Sequence, residues 1–392
     1  MKYSDKQQQF YDLAFDGKNI FLSGKAGTGK SFITKEIIKH LGKKKNVAVV
    51  APTGVAADNV KGATIHSTFS LPINGLIEYQ NCNFLKSKKR SVIDAIDCLI
   101  IDEISMVRPD ILDAIHLTMK KNGCRGLDEI QVIFVGDMMQ LQPVMDDNFK
   151  TMTLKKYKGL TFQYSNIYKK LNPIELELDE VLRQSDEEFI NNLNIIREGG
   201  KSEYFRKFLS DETNGIVLAP HNATVKRYNK IGLDKLNTPL LNYKAKIEGK
   251  AKESDFNFES NLELKHGCKI MYLVNSKNNN LVNGTIGTFI KEDHNLFIEV
   301  GKEKYPLEVF KAKKEEYILN EETEKLELKE IGSIEQYPVK LAYAVSIHKS
   351  QGLTFDEITL DLSLPCFAKG QLYVGLSRVT SPKGLRIISK RK

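Results

Sequence analysis

The stretch Ile20-Phe21-Leu22-Ser23-Gly24-Lys25-Ala26-Gly27-Thr28-Gly29-Lys30-Ser31 constrains the fold more than any other part of this chain. Ile20 to Leu22 form an apolar run of buried-strand type. The turn after them fits G-x-x-x-x-G-K-[ST], and Phe32, Ile33, Ile37, Ile38 and Leu41 recur at helical spacing. Strand, glycine turn and helix in that order make a phosphate-binding loop. Glycines let the backbone curl until successive N–H groups point at phosphate oxygens, and the helix adds its positive end. Gly24, Ala26, Gly27, Thr28 and Gly29 are therefore expected to cradle a nucleoside triphosphate. Lys30 is expected at its β- and γ-phosphates, and Ser31 on a Mg²⁺ ion.

A chain of 392 residues is too long for one ordinary core, so two to four domains are expected. The chain has no apolar run of membrane-spanning length, and its first residues are polar and unlike a signal peptide. The expectation is a cytoplasmic protein with no membrane partner. Five cysteines (Cys82, Cys98, Cys124, Cys268 and Cys366) are scattered without a C-x-x-C pair, which suits a reducing compartment and offers no zinc site. A formal net charge of +8 favours a polyanionic partner, although lysine-rich surfaces are often only solvated.

Along the chain the pattern alternates. A helix capped by Ser4 is expected to run to Phe15, and strands are expected at 47–51, 98–101 and 132–135. Helices are expected at 55–60 and from Pro109, the latter burying Ile111, Leu112, Ile115 and Met119. Residues 62–72 look irregular, and Lys86-Ser87-Lys88-Lys89-Arg90 reads as a solvated basic run. Alternating strands and helices predict a doubly wound parallel sheet whose ligands lie at the carboxyl ends of the strands. A new unit is expected after Asn172-Pro173, with a strand at 174–178 and a helix capped by Ser185 and Glu188. From 262 to 340 short alternating segments replace amphipathic helices and predict a small antiparallel barrel, before the α/β pattern resumes at 341.

Asp102-Glu103 closes the strand 98–101. Downstream of a phosphate loop, Asp102 is expected to hold the metal and Glu103 to polarise the attacking water. Gln140, just beyond the next strand, is an uncharged group suited to sensing the γ-phosphate. Arg183 and Arg378 are candidate sources of positive charge for the transition state.

Seven motifs then follow in order: Gly24 to Ser31; Ala51-Pro52-Thr53-Gly54-Val55-Ala56-Ala57; Ile101-Asp102-Glu103-Ile104-Ser105-Met106-Val107; Gly136-Asp137-x-x-Gln140-Leu141-x-Pro143-Val144; Leu182-Arg183-Gln184; Ser346 to Thr354, containing Ile347-His348-Lys349-Ser350-Gln351-Gly352; and Leu372 to Arg378. Nearly the whole chain thus resembles the superfamily one Pif (petite integration frequency) family of DNA helicases. The segment following Asp102-Glu103 and Leu281-Val282-Asn283-Gly284-x-x-Gly287 add to the likeness. RecD-like helicases are the nearest confusable group. Lys25, Gln142 and Gly375 depart from the family pattern without removing a catalytic group.

The resemblance implies two RecA-like P-loop domains with a small inserted SH3-like β-barrel: 1–173 with a small insert about 62–76, then 174–261 with 341–392, and the barrel at 262–340. It implies ATP-driven 5′-to-3′ movement on single-stranded DNA by a monomer. Duplex, forked or four-stranded DNA would be unwound in replication, recombination, repair or telomere maintenance. Gln7 would read the adenine edge and Gly352 would lie at the nucleotide. Arg183 and Arg378 would complete the site from the second lobe. Pro52, Thr53, Gly54, Thr64, His66, Ser67, Phe69, His348, Lys349 and Ser350 would contact DNA. Competing readings are a translocase that does not separate strands, an ATP-regulated DNA-binding module, and a small-molecule kinase, which would need neither second lobe nor His348 loop.

Overall fold

The computed structural model describes residues 3–25, 27–72, 75–143, 145–179, 186–276 and 281–389. The chain divides into two compact units, 1–138 with 142–183 and 315–331, and 139–141 with 184–314 and 332–392.

The first unit begins with helix α1 (Asp5–Phe15), whose capping box pairs the Ser4 side chain with the Gln7 backbone and the Gln7 side chain with the Ser4 backbone. It continues through β1 (Ile20–Gly24), α2 (Lys30–Leu41), β2 (Val47–Ala51), α3 (Gly54–Val60), β3 (Ala63–Thr64), α4 (Ile65–Phe69) and α5 (Ser87–Asp94). Then come β4 (Cys98–Ile101), α6 (Pro109–Lys121), β5 (Gln131–Val135), α7 (Asp147–Tyr157), α8 (Asn166–Leu171) and β6 (Ile174–Leu178). The sheet order is β3-β2-β4-β5-β1-β6, all parallel.

Alternate residues of each strand serve opposite layers. Ile20 and Leu22 pack with Phe10, Ile33 and Ile37, whereas Phe21 and Phe134 pack with Leu112, Ile115 and Phe162. Residues 62–72, expected to be irregular, instead form β3 and one helical turn. Thr64 caps that turn by accepting a hydrogen bond from the Ser67 N–H at 3.2 Å. The basic run is largely part of α5. The boundary expected at 173 also moves, because β6 pairs with β1 from Ile20↔Ile174 to Gly24↔Leu178 and so completes the first sheet.

The second unit contains α9 (Glu187–Arg197), β7 (Ile216–Ala219), α10 (Asn222–Asp234), β8 (Leu240–Lys244), β9 (Lys246–Gly249), β10 (Asn261–Lys265), β11 (Lys269–Tyr272), β12 (Ile286–Glu292), β13 (Asn295–Val300) and β14 (Glu303–Pro306). Strands β15 (Phe310–Leu319) and β16 (Leu326–Gln336) each have residues assigned to both units. The chain ends through β17 (Val339–Leu341), β18 (Ala344–Ser346), β19 (Ile358–Leu362), α11 (Gln371–Leu376) and β20 (Leu385–Ser389). Asp186, rather than the expected Ser185 (outside the described residues), caps α9 by accepting from the Phe189 N–H at 2.8 Å.

Strands β18-β7-β19-β20 form a second parallel sheet. The expected barrel is not closed among the described residues. An antiparallel sheet, β14-β13-β12-β11-β17, surrounds Phe289, Ile270 and Ile298, while β10-β8 and β15-β16-β9 remain separate sheets. The distal part of the β15–β16 pair, 315–331, packs in the first unit instead: Tyr317 joins its core, and its hydroxyl accepts from the Val49 N–H at 2.8 Å.

Candidate nucleotide and nucleic-acid sites

The phosphate loop connects β1 to α2. Gly27 and Gly29 adopt left-handed backbone angles (φ 83° and 82°) that suit glycine. A Cβ on Gly24 would lie 2.7 Å from the Leu178 carbonyl and 2.8 Å from Thr28 Oγ1, so β6 and the loop together require glycine there. Thr28 Oγ1 donates to the Lys25 carbonyl at 2.9 Å. The Lys30 ammonium folds over the loop, donating to the carbonyls of Gly24 (2.6 Å) and Lys25 (2.9 Å). Ser31 is exposed in the first turn of α2. Ala26 lies outside the described residues. Gln7 is 6% exposed, and its amide oxygen accepts the Ser4 N–H at 3.2 Å, so the side chain expected at the adenine edge also caps α1.

Asp102 follows β4, with its N–H donating to the Val50 carbonyl at 2.9 Å. Burial pushes its carboxyl up to about 6, against the pull of the Glu103 backbone, Lys30 and Lys35. Lys30 and Asp102 therefore share one electrostatic environment at the carboxyl edge of the first sheet. Lys35, which sequence reasoning passed over as one lysine among many, belongs to it as well. Glu103 has φ 49°, uncommon for a side chain of its size, and opens a 3₁₀ turn over Ile104–Met106. Gly136 packs against that turn, since an added Cβ would sit 2.9 Å from Ile104 Cγ2. Asp137, next in sequence, is 1% exposed. Residues 139–141 cluster with the second unit, where Gln351 Nε2 donates to Gln140 Oε1 at 3.3 Å.

The residues expected to touch DNA divide by exposure. In the first unit Thr53 is exposed and caps α3 through a 3.2 Å bond from the Ala56 N–H, with Pro52 and Gly54 half-buried beside it. Thr64 and His66 are half-buried, and the Ser67 hydroxyl donates to Glu316 at 3.2 Å. Burial holds His66 below the usual histidine range, with Arg108 adding to the effect and Asp110 opposing it. Phe69 corrects the expectation. It is fully buried in the first core, so its ring is not available to stack on a base.

In the second unit Lys349 and Gly352 are exposed, and Gly352 has φ 80°. Ser350 is a second correction: it is fully buried, and its hydroxyl donates to the Ile347 carbonyl at 2.8 Å. His348 is half-buried and also held below the usual range by burial. Arg378 is 1% exposed and donates to the carbonyls of Val374 (2.9 Å) and Leu353 (3.1 Å) and to Ser377 Oγ (2.8 Å). Arg183 lies outside the described residues.

A parallel sheet with a glycine loop after β1, a lysine over that loop and a carboxylate pair at the end of β4, one strand removed, defines the P-loop nucleotide-binding class. A family model described as PIF1-like helicase matches residues 2–216, and the chain belongs to that family. It is 32% identical to the ATP-dependent DNA helicase Pif1 of Campylobacter jejuni, spanning 97% of this chain and 90% of that protein. It is 32% identical to the ATP-dependent DNA helicase PIF1 of Xenopus laevis over 99% of this chain, but it spans only 61% of that longer protein. Among solved structures, Bacteroides sp Pif1 in complex with ADP-AlF4 aligns with a TM-score of 0.86 at 32% identity, over 100% of this chain and 92% of that one. Bacteroides Pif1 bound to ssDNA aligns at 0.69 and 33% identity, over 99% and 92%.

Proposed function

We infer that this chain is an ATP-dependent DNA helicase. The observation that carries the reading is the juxtaposition of Lys30 and Asp102-Glu103 at the edge of the first parallel sheet in a chain of the PIF1-like family. ATP is the substrate. Its phosphates offer the Lys30 ammonium stronger acceptors than the neutral carbonyls of Gly24 and Lys25. The first-turn N–H groups of α2 and the glycine loop point the same way. Glu103 orients and polarises the attacking water, and Gln140 senses the γ-phosphate. Arg183 and Arg378 supply positive charge as the phosphoryl group departs.

The donor set suits Mg²⁺. Among the described residues no cluster of three or more His, Cys, Asp or Glu could hold a metal ion, and Mg²⁺ commonly takes one or two protein ligands with phosphates and water. Ser31 and Asp102 would hold it, and it would neutralise phosphate charge.

Single-stranded DNA is the track, gripped by Pro52-Thr53-Gly54 with Thr64, His66 and Ser67, and by His348-Lys349. Movement is 5′ to 3′ and separates a duplex ahead of a monomer. The antiparallel β-region of the second unit serves as the accessory element that the resemblance describes as an SH3-like barrel. Phosphate release with and without poly-dT tests the reading. Wild-type turnover should rise with DNA, Lys30→Ala should abolish it, and Arg378→Ala should lower it by about three decades or more. Undiminished DNA-stimulated turnover in Arg378→Ala would remove that residue from the mechanism.

A further inference from the structure

Three rings stand together at the carboxyl edge of the second parallel sheet, where ligands of such sheets collect. His221 follows β7, His348 follows β18, and Phe367 lies in the loop between β19 and α11. The Phe367 ring is 5.1 Å from that of His221 and 5.7 Å from that of His348, lying within 17° of parallel to the latter. Phe367 is nevertheless 54% exposed. A phenylalanine fixed between two imidazoles and still showing half its surface is a platform rather than a core residue.

Hydrogen bonding fixes the chemistry of the stack. Gln371 is fully buried, and its amide oxygen accepts the N–H groups of Phe367 (3.1 Å) and Ala368 (3.4 Å). Its amide nitrogen is thereby the donor, to the Pro220 carbonyl (3.2 Å) and to His348 Nδ1 (3.4 Å). Nδ1 then carries the lone pair, so neutral His348 bears its proton on Nε2. That Nε2 is buried and has no acceptor among the described residues. His221 holds the other side through its 3.0 Å contact with the Pro365 carbonyl. Packing of the loop alone accounts for neither the exposed ring nor the unanswered donor. A nucleotide accounts for both: its base covers the ring, and its phosphate or base edge brings an acceptor. Exposed Lys349 and Lys369 flank the stack in sequence with the charge a phosphodiester backbone requires.

We propose that Phe367, set between His221 and His348, is a stacking platform for a base of single-stranded DNA on the second unit. The proposal rests on the helicase reading and extends it from His348, within the motif series, to His221 and Phe367 outside it. Stacking of this kind is tolerant of sequence, as a translocating protein needs.

The chain has no tryptophan, so Phe367→Trp places a single reporter at the platform while keeping an aromatic ring. Titration with poly-dT should leave the affinity of this variant near wild type and quench its emission. Phe367→Ala should weaken binding by between about 5-fold and about 100-fold. It should also lose the preference of the wild type for poly-dT over an abasic strand of equal length. An unquenched tryptophan at saturation, or an alanine variant that binds and discriminates like wild type, would overturn the platform alone. A wild-type protein that binds no single-stranded DNA would overturn the helicase reading with it.

Discussion

Removing the hydroxyl of Tyr317 should loosen the first unit out of proportion to the one atom lost. In a strand the N–H and C=O of one residue point to the same side, and those of Val49 face the β3 side of β2. Strand β3 begins opposite Val50, through Val50↔Ala63, so Ala63 reaches the Val49 carbonyl but the Val49 N–H has no ladder acceptor. The Tyr317 hydroxyl fills that place, accepting from the Val49 N–H at 2.8 Å and donating to the Val49 carbonyl at 3.3 Å. Burial pushes the phenol up to about 12, so it remains a neutral donor and acceptor throughout the working pH range. Tyr317→Phe keeps the ring in the core but orphans the backbone N–H of a residue that is 2% exposed. For one buried donor left without an acceptor the loss is about 1 to 2 kcal/mol. Hydrogen exchange reads this locally: amide protection over 46–51 and 315–331 should fall by about 5-fold to about 30-fold. A fall of less than about threefold in both segments would refute the assignment of the hydroxyl as a missing rung of the sheet.

Asp110 is fully buried and accepts from Arg108 Nε and Nη2, both at 2.9 Å, and from the Ile77 N–H at 3.1 Å. Asp110→Ala should cost about 3 kcal/mol in urea unfolding, because the arginine and the amide both lose their acceptor. Glu103→Gln should leave the melting temperature nearly unchanged while lowering ATP turnover at least about 100-fold. Glu103→Gly should also be inactive yet melt higher, because φ 49° strains glutamate and not glycine. For His66 and His348 the folded pKa lies below the ordinary value of about 6.5, so the unfolded chain binds protons first. Stability should therefore fall as pH drops below about 6.5, and the decline should be shallower in the His66→Gln/His348→Gln double variant.

Much of the first unit was legible because parallel strands buried on both faces read as plain apolar runs. Strands 47–51 and 98–101 lie where the sequence places them, as does the amphipathic face of α6 beginning at Pro109. Local rules also revealed the Ser4 cap and the glycine loop. Pairing between distant segments was not legible. Nothing near Ile174 announces that β6 returns to β1, and Tyr317 meets a strand 268 residues earlier in the chain. Single residues within motifs misled for a related reason. Ser350 occupies a motif position and Phe69 lies downstream of one, but each packs inward, and burial depends on neighbours that the local sequence does not name. The stack around Phe367 went unnoticed because its rings come from three separate loops.

The central claim is that ATP turnover at Lys30 and Asp102-Glu103 drives directed movement along one DNA strand. Strand displacement on matched duplexes with a 5′ tail, a 3′ tail or no tail tests it most directly. The account predicts ATP-dependent separation of the 5′-tailed duplex, little or none of the other two, and none by Lys30→Ala. Robust DNA-stimulated hydrolysis without separation of the 5′-tailed substrate, or separation that favours the 3′ tail, would contradict it.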